Sequence, residues 1–288
     1  MTVHTINLPG VGNARELGGY AIGDKVVRPG VLFRSARLDQ AQPAAIEILV
    51  REYHIQTIVD FRMTDERQGM PDPDIPGAKN LFLPVTDMRD MLAGNPKILE
   101  MFGGSMENAL AATGQGMTMY NDPGTDRLAM FKMMRKNDLF NPDIYLDFLL
   151  KERGKQAFRG FFQALLSLEE GRAILWHCTD GKDRTGCAVM LLLFALGATQ
   201  ETVLEDYLLT NAANAQKLNA VREQAAPHHL DAESLNMLLF LSGGAVEGFM
   251  NRAIDTLIER YGSVEHYLEQ EMGIGPAQRE ALSAQFLA

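Results

Sequence analysis

The chain predicts an α/β fold, a central and mostly parallel sheet flanked by helices and carrying a helical insertion. Three observations carry that expectation. Short apolar runs of strand length alternate with longer segments of helical periodicity. The run at 173–176 (Ala-Ile-Leu-Trp) is apolar throughout, as a strand buried on both faces must be, and only a short loop parts it from the helix-compatible run 188–196. The 288 residues are 46% hydrophobic, ample for one large core, and no linker, repeat or low-complexity tract divides them.

Taken in order, residues 43–53 open on Pro43 and place Ile46, Leu49, Val50 and Tyr53 at helical spacing. Residues 55–61 read as a strand, the proline-dense stretch 71–76 as a turn, and 80–83 as the next strand. Residues 86–150 break the pattern. They carry Met88, Met91, Met101, Met106, Met117, Met119, Met130, Met133 and Met134, with Gly103, Gly104, Gly114, Gly116 and Gly124 between them. Methionine adapts to irregular apolar partners and glycine permits hinging, so the insertion reads as a mobile helical lid or, equally, as an ordinary helical subdomain with methionines in its core. Beyond 188–196, helices are expected over 200–216 and 246–261, the latter with Met250, Ala253, Ile254, Leu257, Ile258 and Tyr261 on one stripe. Gly262 ends that helix and Pro276 opens the last.

The loop between strand 173–176 and the following helix carries the chemistry. It places Cys178 and Arg184 at opposite ends of a five-residue span, at a helix N-terminus. Unpartnered backbone N–H groups and the helix dipole make such an end attractive to an anion. Gly181 lets the backbone curl so that N–H groups of Thr179, Asp180, Gly181, Lys182, Asp183 and Arg184 point inward as a phosphate cradle. Arg184 presents a planar fork for two phosphate oxygens, which a lysine cannot do. The field that holds an anion also favours the Cys178 sulfur as its anion, the form that attacks. Asp183, at the rim of the same loop, is the expected proton donor to a leaving oxygen, although pairing with Lys182 or Arg184 would explain it as well. Thr185 is placed to donate its hydroxyl to the sulfur, and His177 to brace the loop from behind. A nucleotide-binding Gly-x-x-x-x-Gly-Lys-Ser/Thr sequence is absent.

The run His177-Cys178-x-x-Gly181-Lys182-Asp183-Arg184-Thr185-Gly186 resembles the signature of the bacterial cysteine-dependent tyrosine and phosphoinositide phosphatases. Four further segments are similar to the same family: Asn13-Ala14-Arg15-Glu16-Leu17-Gly18-Gly19, with glutamate where aspartate is usual; Arg28 to Ser35; Asp60-Phe61-Arg62 followed by Glu66-Arg67; and Arg260-Tyr261-Gly262. Residues 86–150 fall outside the likeness. The resemblance implies a protein-tyrosine-phosphatase-like fold in a single domain, with Cys178 as nucleophile, Arg184 on phosphate and Asp183 as acid. It adds Asp60 as a second candidate acid, against which stands a strand-end carboxylate's habit of pairing with an arginine, here Arg62 or Arg15. The implied activity is phosphomonoester hydrolysis through a phosphocysteine, on phosphotyrosine, phosphoinositides or both. Lysine and aspartate inside the loop imply that the loop's charge reads polyphosphorylated headgroups. The rival reading is a phosphate-binding module without catalysis.

The remaining composition sets limits. A formal charge of −10 argues against nucleic-acid binding, which relies on clustered lysine and arginine. Cys178 and Cys187 form no paired framework and fit a reducing compartment. Cys187 is expected to pack on the first helical turn, with a backup-thiol role as the lesser reading. Residues 1–5 lack a secretory pattern and 188–196 is too short to span a bilayer, so a cytoplasmic enzyme is expected, signal-less export being invisible at this level. His228 and His229 read as solvent-facing, and neither a metal nor an organic cofactor is expected. The oligomeric state is left open.

Overall fold

The computed structural model describes residues 5–93, 96–101, 103–111, 126–137 and 139–288. Its strands are β1 (Arg15–Glu16), β2 (Ala21–Ile22), β3 (Lys25–Val26), β4 (Leu32–Ser35), β5 (Ile55–Asp60), β6 (Lys79–Phe82) and β7 (Ala173–His177). β2 and β3 pair as a separate hairpin, and the other five form one sheet in the order β1-β4-β7-β5-β6. All neighbours in that sheet are parallel except the edge pair β1–β4.

β7 lies in the middle because every one of its side chains is apolar or buried, and successive residues feed opposite faces. Ile174 and Trp176 join Leu32 and Val59 in the larger core, under the helices Glu152–Leu166 and Asp183–Leu196. Ala173 and Leu175 join Phe33 and Ile58 on the other face, closed by Ala45 and Leu49 of the helix Pro43–Arg51. Ser35 and Asp60 both pair with His177, so three strands end together beneath the loop that follows β7. Ligands bind at such a carboxyl edge in open α/β sheets.

Several expectations shift. The helix after the loop starts at Asp183 rather than 188, because the polar first turn Asp183-Arg184-Thr185 is helical as well. The segment 200–216 divides at Asn214 into Gln200–Ala213 and Ala215–Ala225. Within Glu247–Tyr261 the stripe holds for Met250, Ala253, Ile254 and Leu257, but Ile258 is exposed. The proline-rich 71–76 follows a short helix, Thr64–Gly69, that has no apolar periodicity to betray it.

In the insertion lie the helices Met88–Ala93, Pro96–Met101, Arg127–Lys136 and Ile144–Leu150. Its methionines divide: Met88 packs with Met63 and Leu92, Met134 lies against Phe131, and Met91, Met101 and Met133 are exposed. Met117, Met119, Gly114, Gly116 and Gly124 lie outside the described residues. Among the described residues no helix is long and apolar enough to cross a membrane.

Candidate active site

The loop from Cys178 to Lys182 is shaped from below. Gly181 has φ +62°, and a Cβ there would stand 2.3 Å from the Ser35 carbonyl oxygen, so both the conformation and the space require glycine. Asn13 Nδ2 donates to the carbonyls of Asp180 (3.1 Å) and Gly181 (3.0 Å). Arg34 Nη2 donates to the Gly181 carbonyl as well. With these carbonyls drawn down into the protein, the loop's opposite side is left for an anion.

Behind that floor Asp206 is fully buried between two guanidiniums. It accepts from Arg15 Nε at 2.9 Å, from Arg34 Nη1, and from the Tyr20 hydroxyl at 3.2 Å. Burial alone would raise the Asp206 pKa, but Arg15 and Arg34 outweigh it and hold the carboxyl below its ordinary range. Arg15 also donates to Asn13 Oδ1 at 2.6 Å, which turns the Asn13 amide donor toward the loop. The N-terminal Asn-x-Arg motif therefore acts as scaffold for the loop.

A second buried carboxylate meets Arg184. Glu66 Oε1 and Oε2 accept from both guanidinium nitrogens, at 3.0 Å for Nη2, and Glu66 further accepts the Thr179 hydroxyl and the Met63 N–H at 2.7 Å. Burial works against this charge, yet Arg184 and the hydrogen bonds bring the Glu66 pKa down to about 2. Arg184 Nη2 also lies 3.3 Å from Thr179 Oγ1. The Arg184 guanidinium is thus preset by a bidentate clamp. Sequence reasoning passed over Glu66 as a catalytic-site residue, and its one signal was the Glu66-Arg67 match beside Asp60.

Asp183 stands at the mouth with its side chain a quarter exposed. Its Oδ1 accepts the Tyr145 hydroxyl at 2.6 Å, and Tyr145 in turn shares a 2.8 Å contact with the Tyr207 hydroxyl. This chain anchors the Oδ1 oxygen of the carboxylate. Neither tyrosine was foreseen, since Tyr145 arrives from the insertion and Tyr207 from a helix beyond the loop.

Three expected contacts differ. The Lys182 ammonium donates to the carbonyls of Phe240 (2.8 Å) and Gly244 (3.1 Å), lies 3.9 Å over the Phe240 ring, and stands 3.5 Å from Asp183 Oδ1, the pairing expected as the alternative to an acid role. Buried and partnered there, the ammonium is not among the groups that line the cavity floored by Cys178. Thr185 Oγ1 is buried and has no hydrogen-bond partner among the described residues, Cys178 included, so it does not donate to the sulfur. Asp60 is held by Arg62 through Nε at 2.9 Å and Nη2 at 2.8 Å, away from the cavity that Cys178 floors.

His177 does sit behind the loop, with Nδ1 3.2 Å from the Cys178 carbonyl and Nε2 3.2 Å from Asp72 Oδ2. Ligand atoms of Asp60, Asp72 and His177 gather within 4.8 Å of one another, a spacing that could suit a metal ion. Arg62 Nη2 already stands 2.8 Å from both carboxylates, so a guanidinium supplies the positive charge that their pairing needs. Cys187 is fully buried, and burial pushes its thiol well up.

Cys178 forms the floor of a cavity of about 240 Å³ that also carries Asp183, Arg184 and Glu66. Its other walls are largely apolar, lined by Met91, Met134, Ile144 and Phe148 from the insertion together with Met63, Phe240 and Leu241. A charged floor beneath apolar walls suits a phosphate borne on a hydrophobic group.

A family model described as "Tyrosine phosphatase family" matches residues 6–288. The chain belongs to the tyrosine phosphatase family. Members are enzymes that hydrolyse phosphomonoesters through a phosphocysteine. The chain is 30% identical over 276 residues to a Cupriavidus necator protein with a provisional tyrosine-protein phosphatase name, covering 96% of this chain and 86% of that one. It is 28% identical over 291 residues to the triple specificity protein phosphatase PtpB of Mycobacterium tuberculosis, covering 94% of each. A tyrosine-protein phosphatase of Nostoc commune matches 87 residues at 31% identity, 30% of this chain and 29% of that one.

Proposed function

We propose that this phosphatase dephosphorylates phosphotyrosine and phosphoinositides with Cys178 as nucleophile, Arg184 as phosphate clamp and Asp183 as general acid. The observation that supports the assignment is that these three side chains line one cavity, with Glu66 clamped on Arg184 and Asp180 also on its wall, whereas Asp60 is not among the lining residues. The Cys178 sulfur attacks phosphorus, the ester P–O bond breaks, and Asp183 gives its proton to the leaving oxygen. Water then attacks the phosphocysteine, returning its proton to Asp183 and releasing inorganic phosphate and the free thiolate. N–H groups of Thr179 through Arg184 stabilise the charge on the equatorial oxygens at both steps. Met91, Met134 and Phe148 around the floor favour an aryl ester, and the similarity to a triple specificity phosphatase supports a wider substrate range.

We further propose that residues 1–288 act as one domain, in the cytoplasm, and that 86–150 is a lid. Met91 and Met134 reach the cavity wall from that segment. Limited proteolysis should lose cleavage sites within 86–150 when vanadate is bound, and an unchanged digest would refute the lid. For the activity itself, turnover of p-nitrophenyl phosphate should vanish in Cys178→Ser while the variant still retains a phosphotyrosine peptide. Residual turnover within tenfold of the wild type would reassign the nucleophile.

A further inference from the structure

Asp183 is tied to the fold through one of its two oxygens. Oδ1 accepts the Tyr145 hydroxyl at 2.6 Å and stands 3.5 Å from the Lys182 ammonium, while Oδ2 has no hydrogen-bond partner among the described residues. Tyr145 comes from the insertion helix Ile144–Leu150, and Tyr207, whose hydroxyl is 2.8 Å away, from the helix Gln200–Ala213. The backbone N–H of Val246, at the start of the helix Glu247–Tyr261, donates in turn to the Tyr207 oxygen at 3.3 Å. Both tyrosines are 1% exposed, and their rings meet edge-on with centroids 6.1 Å apart, so the hydroxyls have little freedom to part.

The far end of this chain fixes its direction. A backbone N–H can only donate, and a phenol has one proton to give and lone pairs with which to receive. With Val246 donating, Tyr207 gives its proton to Tyr145 and Tyr145 gives its own to Asp183 Oδ1, and every donor has an acceptor. Reversed, with a proton on Oδ1 passed toward Tyr145, the chain would end on the Tyr207 hydrogen facing the Val246 N–H, a buried donor without an acceptor among the described residues. Lys182 adds to the bias, since an ammonium has no lone pair to accept from Oδ1. Burial first, and then the Asp183 charge, push both phenols above their ordinary range, so each keeps the proton the chain needs.

We propose that the proton which Asp183 delivers to the leaving oxygen, and recovers from the attacking water, is carried on Oδ2 alone, with Tyr145 and Tyr207 as positioning residues that hold Oδ1 as a permanent acceptor. The inference rests on the phosphatase reading above and adds which oxygen acts and which residues select it. In the first half-reaction the P–O bond breaks, the ester oxygen keeps the bonding pair, and the Oδ2 proton moves onto it. In the second, a water oxygen bonds to phosphorus, the P–S bond breaks with its pair returning to sulfur, and one water proton moves to Oδ2. Oδ1 keeps its hydrogen bond to Tyr145 through both, so the carboxyl does not turn between steps. Tyr145 belongs to the insertion, which therefore takes part in setting the acid and does not only wall the cavity.

The sign of a pH shift tests this. Asp183 is faced by Lys182, Arg184 and Cys187 from its own turn, by Cys178, Asp180 and Glu66 around the cavity, and by Tyr145 and Tyr207 from the helices packed against it. The charged neighbours are the same in wild type and tyrosine variants, so a difference between them reports the tyrosines. A donor to the carboxylate favours its charged form, and removing that donor lets Asp183 keep its proton to higher pH. The basic limb of kcat/KM on phenyl phosphate, whose leaving group needs an acid, should therefore move up by about one pH unit in Tyr145→Phe, the size of one charge-assisted hydrogen bond. Tyr207→Phe only weakens Tyr145 as a donor and should move the limb less, in the same direction. p-Nitrophenolate leaves with little protonation, so the limb on p-nitrophenyl phosphate should move far less in either variant, and thermal unfolding midpoints confirm that both fold. A limb that moves down would mean that Oδ1 carries the proton and gives it to Tyr145, which overturns the proposal. Rates that fall equally on both esters at every pH, with the limb in place, would leave the tyrosines a structural role only and overturn it as well. Asp183→Asn tells this failure from that of the underlying reading: a basic limb that survives the substitution sinks Asp183 as the acid, whereas a limb lost there but unmoved in both tyrosine variants sinks the tyrosine chain alone.

Discussion

Replacing Glu66 by glutamine tests how much of the site's order rests on one carboxylate. Glu66 is 5% exposed and its pKa falls from 4.5 to about 2 on folding, against its burial and because of Arg184. A group whose folded-state pKa is depressed adds stability that is fully present above the unfolded value and is lost as the pH drops through the folded one. The window for Glu66 is therefore from about pH 5 down to pH 2. At about 1.4 kcal/mol per pH unit the full contribution is on the order of 3 kcal/mol, of which about 2 kcal/mol has gone by pH 3. Glu66→Gln lacks this titration. Urea unfolding at pH 7 should find the variant about 2–4 kcal/mol less stable, since Arg184 loses its ionic partner, with the gap narrowing by about 2 kcal/mol at pH 3. Arg184 would also be less firmly aimed, and kcat/KM on an aryl phosphate should drop about 10- to 100-fold. A gap between wild type and variant that stays constant from pH 7 to pH 3 would refute the assignment of the clamp to an ionised Glu66.

Three further perturbations probe the other supports. Asp183→Asn should cost about 100-fold or more in kcat on esters of poorly acidic alcohols and far less on p-nitrophenyl phosphate, and Tyr145→Phe should show the same dependence at about 3- to 10-fold; equal losses along a leaving-group series would remove Asp183 from the role of acid. Gly181→Ala should abolish at least 99% of turnover, roughly the 100-fold cost of a displaced loop, because its Cβ meets the Ser35 carbonyl; near-normal kcat would show that the loop is not held there. Asp206→Asn strands Arg15 and Arg34 in the core and should lower stability by about 3–5 kcal/mol, a drop in the calorimetric midpoint of roughly 10 °C. A change of less than about 2 °C would mean that water reaches the pair.

The order of helices and strands, the parallel sheet and the place of the loop were legible in the chain because they follow local rules. Uniformly apolar strands must be buried on both faces, and β7 is the middle strand. Cys178, Gly181, Asp183 and Arg184 were legible for a similar reason: their spacing within one loop at a helix start is itself the geometry. Local patterning does not say where a long side chain goes once the loop is folded. Lys182 looked like a phosphate ligand, yet the carbonyls of Phe240 and Gly244, some sixty positions away, draw its ammonium into the protein. Glu66 looked like part of a polar turn and proves to hold the key arginine from 118 positions away.

By itself, then, the sequence determined the loop on which the proposed chemistry at phosphorus rests, since Cys178, Gly181, Asp183 and Arg184 lie within seven consecutive residues and need only their own backbone to meet. Tertiary structure decided everything that depends on charges finding partners across the fold: the Glu66 clamp on Arg184, the Asp206 bridge under the loop, and the tyrosine pair behind Asp183. The physical reason is that a buried ion is tolerable only with a partner at hydrogen-bond distance, and which residues supply it is settled by packing that no local spacing encodes.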